Sequence, residues 1–151
     1  MTHPRSRSSR LRTAGTVVLA TAALAVALPG VANATPAKPG DRTVLATVQN
    51  DTGLRLKLVE TELAEGKWTT DPPNAVRSYS RAGFGSTSSK NTGGTEATVV
   101  YKTKYGNVEL YWDHPWATDG DVTCEVPDEL TCETETSGSS KMKVTYILAE
   151  A

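Results

Sequence analysis

Histidine is almost absent from this sequence: 151 residues hold two imidazoles, His3 and His114. A nucleophilic hydrolase needs a nucleophile, a base and a group that orients the base. His114 has Asp113 beside it, but neighbours on a strand face opposite ways, and nothing marks a partner serine. Cysteine is equally scarce. Cys124 and Cys132 form no Cys-x-x-Cys and, even with His114, fall short of a four-ligand metal set, so no metal ligands are assigned. Asp119-Gly120-Asp121 lacks the rest of a calcium loop. The glycines around Phe84 are followed by no helix whose N-terminus would hold a phosphate, which rejects a nucleotide site. Carboxylates are plentiful between 119 and 135, where Asp119, Asp121, Glu125, Asp128, Glu129, Glu133 and Glu135 all fall. A solvated acidic face explains them more simply than a glycosidase pair does. The expectation is no enzyme, no catalytic residue and no cofactor.

A long apolar run is missing too, apart from one short one. Residues 17–28 are apolar, preceded by Arg5, Arg7, Arg10 and Arg12 and followed by Pro29, Gly30 and Ala32-Asn33-Ala34. A basic start, a short apolar core and a small-x-small site read as a cleavable signal peptide over 1–34, so the protein is expected to be secreted. The run is too short for an ordinary membrane span. A flexible lead-in with Pro36, Pro39 and Gly40 follows over 35–42, then a single domain over 43–151. Cleavage removes four basic residues and no acidic one from 16 basic and 17 acidic, leaving 12 against 17. A mature charge of about −5 disfavours nucleic acid as a partner and simple electrostatic adhesion to anionic lipid. A membrane would have to be met through specific headgroups or aromatic insertion.

What the mature chain does have is strand periodicity. Val44, Ala46 and Val48 alternate with polar neighbours, as do Leu54, Leu56 and Leu58, and Asn50-Asp51-Thr52-Gly53 between them predicts a hairpin. From Thr61 to Pro73 the pattern loosens, although Gly66-Lys67-Trp68 has the look of a short strand. Ala82 to Gly85 is another, and Ser86 to Gly94 reads as a loop. Ala97, Val99 and Tyr101 lead through Lys104-Tyr105-Gly106-Asn107 into Val108, Leu110 and Trp112, a second hairpin. Two short segments flank a turn at Pro127, and Met142, Val144, Tyr146 and Leu148 mark a last strand. No segment beyond residue 34 has helical periodicity. Many short strands with turn chemistry between them predict an all-β, single-domain antiparallel β-sandwich. Cys124 and Cys132 flank the Pro127 turn, and an oxidising destination predicts that they are bridged. Closing so small a loop stabilises by about 2–3 kcal/mol.

The densest chemistry lies in Gly106 to Asp121. Tyr111, Trp112, Asp113, His114, Pro115 and Trp116 follow one another where a strand ends, since Pro115 has no N–H for a ladder. Amphipathic rings at such a place suit a boundary between apolar and aqueous phases. Trp112 continues the apolar face of Val108 and Leu110 and is expected in the core. Trp116 lies past the strand and is expected at the surface.

The residues also carry a resemblance. Val48-Gln49-Asn50-Asp51-Thr52-Gly53, Gly66-Lys67-Trp68, Gly93-Gly94-Thr95-Glu96-Ala97-Thr98, Tyr111-Trp112-Asp113-His114-Pro115-Trp116 and Lys143-Val144-Thr145-Tyr146 resemble, in order and spacing, segments of the aegerolysin family. That family also includes the smaller partner of some binary insecticidal toxins. The resemblance spans Thr47 to Leu148, and the Tyr-Trp-Asp-x-Pro-Trp piece is its most specific part. It implies a β-sandwich that binds particular membrane lipids, in several members beside a larger pore-forming partner. It also implies a lipid-facing role for Trp68, Tyr111, Trp112, Asp113, Pro115 and Trp116. The two cysteines and the signal peptide depart from the pattern, and both suit export. Two functions follow: a lipid-binding, cytolysin-like protein, or a secreted module that binds glycan or protein without acting on membranes.

Overall fold

A computed structural model of the chain describes residues 42–89 and 93–151. The signal peptide and all of the lead-in but Arg42 lie outside the described residues. Within them the chain forms ten strands: β1 (Thr43–Asn50), β2 (Leu56–Glu65), β3 (Lys67–Thr70), β4 (Ala75–Val76), β5 (Ser80–Thr87), β6 (Thr95–Lys102), β7 (Asn107–His114), β8 (Asp121–Glu125), β9 (Leu130–Ser137) and β10 (Lys141–Glu150). They make two five-stranded sheets, in the orders β3-β5-β1-β10-β9 and β4-β2-β6-β7-β8. The architecture is the predicted all-β sandwich. One pairing departs from the antiparallel rule: β1 and β10 run parallel. A parallel pair needs a long connection, and here almost the whole domain supplies it between first and last strands.

Alternation decides which side chains face inward. Val44, Ala46 and Val48 on β1 lie beside Met142, Val144 and Tyr146 on β10 in one sheet, while Ala97, Val99 and Tyr101 on β6 and Val108, Leu110 and Trp112 on β7 fill the other. Side-chain hydrogen bonds cross between the sheets. The Tyr146 hydroxyl donates to the Tyr111 carbonyl at 2.7 Å, and the Trp112 indole N–H donates to Ser86 Oγ at 3.0 Å.

The 95–103/106–112 hairpin forms as predicted, closed by the β6–β7 register. The expected hairpin at Asn50 does not. β1 and β2 lie in different sheets, and the segment between them is a corner from one layer to the other. Both arrangements point the same residues at the core, so periodicity cannot separate them. A buried polar knot shapes the corner. The Asn50 amide donates to the carbonyls of Leu54 (2.7 Å) and Arg77 (2.8 Å), while its oxygen accepts from the Thr52 hydroxyl (2.6 Å) and N–H (3.2 Å).

The two long sides of the sandwich are closed by different means. On one, the chain passes from β2, second in its sheet beside the two-residue β4, to β3 at an edge of the other sheet through Gly66, whose φ of +98° is a left-handed conformation that favours glycine. On the other, β8 and β9 are the facing edges, and the Cys124–Cys132 disulfide joins them. The bridge was expected across one turn; it is in fact a staple between two sheets.

Candidate functional site

β7 carries the aromatic motif to one end of the sandwich, where β6, β10 and β1 also begin, so Arg42, the β9–β10 turn and the loop after β7 all gather there. The motif divides by face. Trp112 is fully buried, with its ring edge-on to Trp68 (centroids 5.8 Å apart, planes at 77°) and tilted against Phe84 at 5.9 Å. Its indole partner Ser86 also accepts from the Thr95 hydroxyl at 2.6 Å. Trp112 is therefore a core residue, as its alternation predicted, and not at the surface where a lipid would touch it. Trp68 on β3 is half-buried and packs against Trp112.

Tyr111 and Asp113 point to the outer face of the same strand. The Tyr111 hydroxyl donates to Glu96 Oε1 at 3.0 Å, and burial, followed by that acidic neighbour, pushes its phenol up to about 12. Strand register sets Glu65, Glu96, Asp113 and Asp121 side by side across β2, β6, β7 and β8. Asp113 is half-buried in that row. Burial first, then Glu96, Glu65 and Asp121, holds its carboxyl above the usual range.

Where β7 ends, the backbone of 113–115 runs between two glycines. A side chain at Gly94 would strike His114 O and Pro115 Cα, and one at Gly120 would strike Asp113 O. The close approach explains why small residues precede β6 and follow the motif. Pro115 and Trp116 are half-buried. Trp116 was expected to stand free at the surface, but Arg42 braces it: Nη2 donates to the Trp116 carbonyl at 2.7 Å, and the guanidinium carbon lies 5.8 Å from the ring centroid.

His114 ends β7 facing inward, 6% exposed, with Nε2 at 3.4 Å from the Ser140 carbonyl. Burial, more than any neighbour, lowers its pKa. Beside it opens a cleft of about 310 Å³ lined by Arg42, His114, Thr118, Asp119, Gly138 and Ser139, among others. The motif named His114 alone of this group. Arg42 and the 138–139 turn are distant in sequence and arrive only through the parallel β1–β10 pairing, which local periodicity does not reveal.

The fold resembles that of a lipid binding protein, Nakanori. The crystal structure of that protein superimposes with a TM-score of 0.67 over 72% of this chain and 71% of the other, at 17% sequence identity. At that identity the likeness is one of fold. No protein-family model matches the chain, and no curated protein matches it in sequence.

Proposed function

We propose that this chain is a secreted protein that binds membrane lipid through the Trp116 end of the sandwich. In this reading it is the lipid-recognising member of a two-component pore-forming pair. One observation carries the site: a half-buried indole, held by Arg42, stands beside an open cleft where four strands begin or end. Such a ring presents an apolar edge at fixed height, and an acidic chain needs that because it has little electrostatic attraction to anionic membranes. The fold it shares with a lipid binding protein supports lipid as the ligand class. The larger partner rests on the aegerolysin resemblance. The disulfide is compatible with an extracellular location. The reading includes no catalytic step.

Vesicles of varied headgroup composition, tested beside a panel of soluble glycans, decide the ligand class. The expected outcome is sedimentation with a subset of vesicles, without release of trapped dye by this chain alone. Binding to glycans with no vesicle retained would replace the reading with a carbohydrate-binding module.

A further inference from the structure

The Trp116 end holds two buried polar atoms that lack hydrogen-bond partners among the described residues: Arg42 Nε and His114 Nδ1. Leaving a buried donor or acceptor unpaired forfeits its hydration with nothing in return, so two in one place mark where something else completes the bonding. Both residues line the cleft of about 310 Å³. One water occupies about 30 Å³ of liquid, so the space admits a group of several heavy atoms.

We infer that this cleft is a phosphate subsite in which Arg42 and His114 hold the oxyanion. The inference deepens the lipid reading and rests on it for the source of the phosphate, though not for the chemistry. Arginine presents its N–H groups as a planar fork that fits phosphate oxygens, and here one arm of the fork is already fixed by the Trp116 carbonyl. His114 supplies the second contact. The Ser140 carbonyl can only accept, so the neutral ring carries its hydrogen on Nε2 and Nδ1 is bare. When the anion enters, Nδ1 takes a proton from a solvent hydronium ion, an N–H bond forming as an O–H bond breaks, and the new N–H donates a hydrogen bond to a phosphate oxygen; the phosphate itself is unchanged. Arg42, placed before β1, opposes that proton, whereas Asp113 on β7 and the Ser139 and Ser140 carbonyls of the β9–β10 turn favour it. An anion in the cleft adds the attraction that burial and Arg42 otherwise outweigh.

Asp119 also lines the cleft, and it sets the preference. A carboxylate in the lining repels a phosphate in proportion to its charge. A phosphodiester, with one negative charge, is therefore favoured over a free phosphate, which carries about −1.5 to −2 at neutral pH.

The test follows the imidazole ¹⁵N shifts of the full chain against pH, with His114 assigned by the signal lost in His114→Gln. Dimethyl phosphate, inorganic phosphate and sodium chloride at matched ionic strength are the three additions. Dimethyl phosphate should raise the His114 midpoint by about one pH unit, the size an opposite charge at contact produces, with a smaller rise from inorganic phosphate and none from chloride. Arg42→Gln should abolish the rise, and Asp119→Asn should bring the two phosphates level. A midpoint that neither phosphate moves in the parent protein overturns the subsite, leaving the cleft to water, even where vesicles bind. An equal rise in Arg42→Gln overturns it as well. A midpoint that moves in a protein no vesicle retains contradicts the lipid reading and leaves the subsite standing. Should Arg42→Gln fail to fold for want of its Trp116 contact, the parent titration alone decides.

Discussion

Trp112 and Trp116 sit four residues apart in one motif and do different work. Trp112 fills the space between Trp68 and Phe84 and satisfies its N–H on Ser86, so Trp112→Ala should destabilise by about 3–5 kcal/mol, read as an early denaturant midpoint. That division was legible, because alternation from Val108 through Leu110 reaches Trp112 and stops before Pro115. The row of carboxylates beside it was not legible, since Glu65, Glu96, Asp113 and Asp121 are scattered in sequence and register alone unites them. Asp113 has its pKa raised above the ordinary 3.8 in the folded state. Between those two values the folded chain binds more protons than the unfolded one, so this group's contribution falls as pH rises and is fully present only below 3.8. Asp113→Asn should therefore melt above the parent at neutral pH, and the gap should close as the pH falls through the raised pKa. A gap independent of pH would show that the row does not bear on stability.

At the scale of elements, inward faces were readable and partners were not. The alternating sets of β1, β6, β7 and β10 came straight from the sequence, but nothing local distinguishes a hairpin at Asn50 from a corner between sheets. β2 was half missed for a physical reason. Register shifts after Leu58 and after Leu63 break its alternation, and most of its side chains beyond Leu58 are exposed on both faces. Pairing of β1 with β10 joins the two ends of the domain, which no window of neighbouring residues reports. The disulfide was expected, but its function changes with its setting: it holds the β8 and β9 edges of opposite sheets. Intact mass after alkylation should show both thiols protected until reduction. Cys124→Ser with Cys132→Ser should cost about 2–3 kcal/mol by the chain-entropy account, and denaturation should begin with exchange of the β8 and β9 amides. Two freely alkylated thiols in unreduced protein would remove the staple.

For the whole molecule, the proposed lipid binding raises the question of which end would meet a membrane. The Trp116 end offers the braced indole and the cleft. The opposite end, beyond the Asn50 corner, offers Tyr79, 73% exposed and with a positive φ of 52°, and Tyr105 in the β6–β7 turn. The sequence marks Tyr105 only as part of a turn and Tyr79 not at all, because each lies outside any periodic segment. Aromatic exposure alone would favour that end, so the two ends make opposite predictions for the same assay. Sedimentation with a responsive vesicle, measured for the parent, Trp116→Ala and Tyr79→Ala, separates them. Trp116→Ala should keep its melting midpoint and lose about tenfold or more in vesicle affinity, the scale of a partly buried indole, while Tyr79→Ala binds as the parent does. Full binding by Trp116→Ala together with loss in Tyr79→Ala would move the lipid site to the other end of the sandwich and contradict the account.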